Sequence, residues 1–187
     1  TGAQVDVVGV LWALGAMVGA ASYFVLSARA HGDTGVVVDL LSETHGRRAA
    51  YVAGGASRKM KPFLQVGARV QADYRARTSD QLGSARLEAV GEGPSGLFDD
   101  PLALIGLSAA AAVVQGALPE REPHPGAFLA FEALMTAFQA PDVWPAIFVR
   151  FEMGLLEDLG FGLDLTRCAS TGAVDDPTMD PAVIEAA

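Results

Sequence analysis

Four glycine-bearing turns cut the first half of this chain into segments too short for ordinary helices. They fall at His31-Gly32-Asp33, His45-Gly46, Gly54-Gly55 and Asp80 to Gly83, where glycine supplies the positive φ that tight turns need. Between them lie FVLSARAHGD, TGVVVDLLSETHG, RRAAYVAGG, ARVQADYRART and SARLEAVGEG. In Arg69-Val70-Gln71-Ala72-Asp73-Tyr74-Arg75 every second side chain is polar or charged, the alternation of a half-exposed strand. Five such strands in about 65 residues predict a small closed barrel, and the oligonucleotide-binding (OB) barrel is the usual five-stranded solution.

After a Gly/Pro/Ser stretch from Gly91 to Ser95, the rhythm changes to that of helices. Asp99 or Asp100 caps the first, Pro101 fits its opening turn, and PLALIGLSAAAAVVQGAL carries it towards Pro119. In the next, Phe128, Phe131, Leu134, Met135 and Phe138 fall on one face. A third, from about Asp142 to Leu159, turns Trp144, Ile147, Phe148, Phe151, Leu155 and Leu159 inward. The expected fold class is therefore α+β. Residues 24–91 form a five-stranded OB-fold β-barrel, and residues 97–187 form an all-α domain with an irregular C-terminal part.

Charge follows the same division. The net charge is −9 over 187 residues, which by itself argues against a uniformly basic surface. Residues 25–90, however, hold ten bases and six acids, whereas residues 91–187 hold three bases and fifteen acids. Such polarity points to an anionic partner for the basic half. Arg47 and Arg48 open the third strand, Arg58, Lys59 and Lys61 sit in a Gly/Ser/Pro loop, and Arg69, Arg75, Arg77 and Arg86 lie on or beside the last two strands. Cations spread along a groove suit a phosphate backbone, because each neutralised phosphate releases condensed counterions. The competing reading of each base is an ordinary solvated strand face. Tyr51, Phe63 and Tyr74 are the only aromatic platforms in the segment. Electrostatic holding with little stacking, weak sequence preference and strong salt dependence is therefore expected.

Catalytic chemistry finds no support. Phosphate-loop, zinc-protease, paired C-x-x-C and nucleophile-elbow patterns are all missing from the sequence. His31, His45 and His124 lie far apart and read as turn or connector residues. Glu120 and Glu122, like Asp99 and Asp100, read as helix-end acids. Cys168 is the sole cysteine, so neither a disulfide nor a tetrahedral zinc site is expected.

Val7 to Ala28 contains no charge, long enough to raise a membrane span. A cleaved signal would want positive charge ahead of it, and only Asp6 precedes it. The alternatives are a buried apolar element, a leader over residues 1–23 foreign to the domain, and an interaction module anchored through residues 5–26, with Arg29, Arg47 and Arg48 meeting anionic headgroups.

Several separate blocks together resemble the RecO family of bacterial DNA repair and recombination mediators. They are VLSARAHGDTGVVVDLLSETHGRRAAYVAGG, ASRKMKPFLQVGARVQADYRAR, LFDDPLALIGLSAAAAVVQGALPEREPHP and WPAIFVRFEMGLLEDLGFGLDLTRCASTGA, spanning about residues 25–176. The resemblance implies an OB domain joined to a helical domain and no catalysis of bond chemistry. It implies binding of single- and double-stranded DNA, strand annealing, and contacts with RecR and with the C-terminal tail of the single-strand DNA-binding protein. It further implies indirect help to RecA loading and a cytoplasmic, nucleoid-associated setting. DNA binding falls on Arg47, Arg48, Arg58, Lys59, Lys61, Arg69, Arg75 and Arg77. Two departures stand out: an apolar run, Val5 to Tyr23, in place of the family's polar lead-in, and an end soon after Asp180 to Glu185, where some members carry a four-cysteine zinc module. No metal, no cofactor and no membrane partner are expected, and a shortened C-terminal part is.

Overall fold

The computed structural model describes residues 22–76, 81–91, 94–97, 99–164 and 167. Five strands, β1 Ser22–His31, β2 Gly35–Ser42, β3 Gly46–Val52, β4 Arg69–Arg75 and β5 Gly83–Ala89, precede three helices, α1 Pro101–Ala117, α2 Pro125–Ala137 and α3 Trp144–Asp158. The strands close into a barrel in the order β1-β2-β3-β5-β4. This is the OB-type barrel followed by a helical domain that the strand and helix rhythms predict.

Alternation sets the barrel interior. Tyr23 and Val25 of β1, Val36, Val38 and Leu40 of β2, Ala50 and Val52 of β3, and Val70, Ala72, Ala85 and Leu87 of β4 and β5 share one core. The intervening β1 residues Phe24 and Leu26, with Leu41 of β2, join a second core built from the helices. The first half of β1, Tyr23–Leu26, is thus buried on both faces. Such a strand reads as a continuous apolar run rather than an alternating one, which accounts for the end of the uncharged stretch. Ser22–Leu26, the last residues of the anchored reading of residues 5–26, form barrel strand instead. No described helix is long and apolar enough to cross a membrane. Residues 1–21 and Cys168 lie outside the described residues.

The helices pack through the stripes expected of them. Phe131 and Leu134 of α2 and Phe151 and Leu155 of α3 are buried, and the Phe131 and Phe151 rings meet at 6.1 Å. The cap of α1 is Asp100, whose Oδ1 accepts from the backbone N–H of Leu102 (2.9 Å) and Ala103 (3.1 Å). Asp99 is an exposed turn residue. Phe24 joins the two halves, with its ring 5.5 Å from Phe128 and 5.4 Å from Phe131.

The barrel seam between β3 and β5 is short: Ala50 pairs with Gly83 and Tyr51 with Ser84, in parallel. The remaining edge of β3 is met by the α1–α2 connector, where Glu120 bridges to Arg47 and the Arg121 N–H donates to the Arg47 carbonyl at 2.7 Å. Gly46 permits this approach. Its φ is 66°, and a Cβ there would overlap the Glu122 carbonyl. Glu120 and Glu122, read from the sequence as helix-end acids, are instead parts of this docking strip, because α1 already ends at Ala117.

Replacing Phe24 with Ala removes an aromatic body from the junction of the two halves and is expected to cost roughly 3–5 kcal/mol. Urea unfolding followed by far-ultraviolet circular dichroism should then show one earlier transition, with strand and helix signals lost together.

Candidate nucleic-acid interface

The barrel register places each basic residue, and they fall into separate groups. Arg47 lies on the outer face of β3 opposite Leu41, turned towards the helices. Its Nη1 donates to Asp39 Oδ2 at 2.7 Å, its Nε donates to the Leu118 carbonyl at 3.1 Å, and Glu120 Oε1 stands 3.6 Å away. Gln115 from α1 completes the cluster, donating to Ser27 Oγ (2.7 Å) and to Asp39 Oδ2 (3.1 Å). Asp39 is only 6% exposed. A buried carboxylate requires a partner of this kind.

Arg69 is similarly engaged. Its Nη1 lies 2.6 Å from Glu132 Oε1 on α2, its Nε donates to Ser22 Oγ at 3.0 Å, and its guanidinium sits 5.4 Å from the Phe24 ring centroid. It walls a groove of about 540 Å³ between barrel and helices, with Leu97 and Met135 among the apolar lining. Two arginines expected at a nucleic acid thus fasten the barrel to the helical half.

Arg48 points the other way, into the barrel mouth near the β2–β3 turn. Its guanidinium is 5.3 Å from the Tyr74 ring centroid, and its Nε donates to the His45 carbonyl at 3.3 Å. Tyr23 and His45 stack nearby with centroids 6.3 Å apart. Burial raises the Tyr23 phenol above its ordinary value, partly offset by Arg48 and a hydrogen bond with Ser42. Burial lowers the His45 imidazole, and the Arg48 charge lowers it further.

Arg75 is highly exposed and paired with Asp73 at 2.8 Å. Hydrogen bonding to that carboxylate raises its pKa. Across the β4–β5 ladder, Asp73 faces Arg86 and Gln71 faces Glu88, so the outer surface of these strands is of mixed sign. Arg77 lies outside the described residues.

Arg58, Lys59 and Lys61 are exposed on the loop after β3, and none has an ion pair among the described residues. Met60, Phe63 and Leu64 of the same segment pack against the barrel core, and the Ala56 N–H donates to the Thr34 carbonyl. This fixes the loop beside the β1–β2 turn. Strand β3 separates it from the mouth that holds Arg48, and seven strand residues span roughly 20 Å.

The register also brings together residues that the spacing of bases did not single out. Arg29 on β1 faces Val37 on β2, which faces Tyr51 on β3; Tyr51 faces Ser84 on β5, which faces Arg75 on β4. Arg29 is exposed and Tyr51 half-buried. The polar–small alternation Ser27-Ala28-Arg29-Ala30 was the sequence signal that could have placed Arg29 on this face, once the register shift at Val25/Ser27 is known.

The remaining histidine also has partners. His124 Nδ1 lies 2.8 Å from Asp158 Oδ2, joining the start of α2 to the end of α3. Among the described residues no group of three or more His, Cys, Asp and Glu is arranged to hold a metal ion.

Family models for the recombination protein O N terminal and C terminal match residues 20–90 and 99–182. The chain belongs to the RecO family. Over 153 residues it is 76% identical to the DNA repair protein RecO of Phenylobacterium zucineum (strain HLK1), covering 82% of this chain and 63% of that relative. Over the same length and coverage it is 67% identical to the protein of that name from Caulobacter sp. (strain K31) and 66% identical to that of Caulobacter vibrioides (strain NA1000 / CB15N). The chain thus spans less than two thirds of the length of these RecO relatives. RecO membership supports a role in DNA repair.

Two outcomes test this division of charges. Arg47→Ala leaves Asp39 buried without its cation and is expected to destabilise by roughly 3–5 kcal/mol in urea melts, whereas Arg58→Ala leaves stability within about 0.5 kcal/mol. Followed by NMR, His45 should titrate below its ordinary value of 6.5, and Arg48→Ala should move the midpoint upward. A histidine held low binds fewer protons folded than unfolded, so its contribution to stability is present above pH 6.5 and declines as pH falls below that value.

Proposed function

We propose that this RecO-family chain is a non-enzymatic DNA-binding module of recombinational repair. In this reading its barrel holds single- and double-stranded DNA by the sugar-phosphate backbone, and its helical half recruits partners. The observation that carries it is the loop bearing Arg58, Lys59 and Lys61, exposed and without carboxylate partners among the described residues. Arg48 and Arg75 extend the cationic surface. Arg47 and Arg69 contribute indirectly, since their charges are already met by Asp39 and Glu132. Cations free of partners gain most from a phosphate, because no ion pair must be broken and counterions are released into bulk.

The names of the relatives support the repair setting, and the rest of the reading follows from it. Annealing of complementary strands, contact with RecR and with the acidic tail of the single-strand DNA-binding protein, and help to RecA loading belong to the whole protein, in a cytoplasmic, nucleoid-associated setting. The helical half is acidic, so a basic partner surface meets it without repulsion, whereas an acidic tail must seek its few cations, Arg121, Arg150 and Arg167.

Replacing Arg58, Lys59 and Lys61 together with Ala should weaken binding of a labelled oligonucleotide. It should also flatten the dependence of log K on log salt by up to about one unit per lost phosphate contact. Anisotropy titrations over a salt series measure both, and an unaltered slope removes this loop from the interface.

A further inference from the structure

Of the barrel's aromatic residues, Tyr23 and Phe24 are buried in the two cores, and Phe63 and Tyr74 pack against the barrel core. Tyr51 belongs to neither core cluster. Its ring lies across Gly35 on the neighbouring strand, so closely that a Cβ at Gly35 would overlap the far end of the phenol. His31 meets it edge-on, with centroids 5.9 Å apart and planes at 75°. Side chains on a sheet ordinarily stand away from it; this one lies down because glycine leaves the space. The ring lies on the outer side of the barrel and Tyr51 is half-buried, so part of it stays open to solvent.

The surroundings are charged in a useful way. Arg29 and Arg75 each stand two strands from Tyr51 in the same cross-barrel row, roughly 10 Å at the usual strand spacing. The small polar Ser84 and the aliphatic Val37 lie between. The row therefore sets an aromatic ring between Arg29 on one side and, on the other, the exposed Arg75 in its ion pair with Asp73, next to the loop that follows β3.

We infer that Tyr51 is a stacking platform for one unpaired nucleobase, flanked by Arg29 and Arg75 on the adjoining phosphates, and that it gives the barrel its preference for single strands. This rests on the proposed DNA-binding function and deepens it. Cations alone do not distinguish single from double strands, since both present phosphates. A partly exposed aromatic ring does, because a base in a duplex already has neighbours on both of its faces, while an unpaired base can exchange one of them for an aromatic side chain. A ring already fixed by Gly35 and His31 loses little freedom when a base arrives.

The test uses the full chain with two labelled probes of equal length, a thymidine single strand and a mixed-sequence duplex. Tyr51→Ala should weaken single-strand binding roughly 5- to 150-fold, the range for loss of one base–aromatic contact, and leave duplex binding and the salt slope unchanged. Tyr51→Phe should match the wild type. Tyr51→Leu, which covers Gly35 with an apolar but non-aromatic group, should behave as Tyr51→Ala and decides the matter if the Ala variant does not fold. Equal losses on both probes, or no loss on either, overturn the platform. A wild-type chain that binds neither probe overturns instead the DNA-binding function beneath it.

Discussion

Strand β1 is shared between two cores, and the architecture depends on that sharing. Tyr23 and Val25 face the barrel interior, while Phe24 and Leu26 face the helices. Full burial of a large apolar side chain is worth about 1.5–3 kcal/mol, so four consecutive side chains on one strand anchor two layers at once. The barrel and the helices consequently meet along a shared strand, and charges at their junction are met across it, the Arg47–Asp39 pair largely away from water and the Arg69–Glu132 pair partly open to it. Asp39 with Arg47 and Gln115, and Arg69 with Glu132, are the solutions found there.

Those two ion-pair clusters change how the basic character of the barrel segment is understood. Part of the positive charge is internal to the protein's own construction, balancing carboxylates on β2, α2 and the connector. The exposed remainder is smaller and better defined: the loop after β3, the mouth with Arg48, and a row across the barrel with Arg29 and Arg75. The loop cations, which have no ion pair among the described residues, can respond to an anion directly, Arg75 must first leave Asp73, and the junction arginines are already engaged.

Much of the fold was legible from local rules. Gly-bearing turns mark the strand ends, Asp100 caps α1 where the sequence placed an acid before a proline, and the Phe128–Phe131–Leu134 stripe is core. The limits were equally physical. An alternating pattern tells which residues share a face of one strand, but not whether that outer face meets water or another layer. Arg47 and Arg69 therefore read like Arg75, although two are bound to carboxylates at the junction. Apolar runs carry the same ambiguity, and Ser22–Leu26 resembled part of a membrane segment because both of its faces are covered by protein. The placement of Tyr51 over Gly35 was unreadable for a different reason: it depends on the pairing of β2 with β3, a register that turn lengths and alternation do not fix for a residue two positions along the diagonal.

The short β3–β5 seam has a consequence for how the molecule is made. The first residues of β3 are completed by residues of the connector after α1, and the Arg47 side chain waits for a carbonyl 71 positions further along the chain. During synthesis the five strands leave the ribosome before their last neighbour exists, so the nascent barrel carries an unsatisfied edge until the connector after α1 has emerged. Contacts of such long sequence separation slow folding and lengthen the period in which an open edge can capture another chain. The two halves, distinct by composition, are thereby bound to a common folding event.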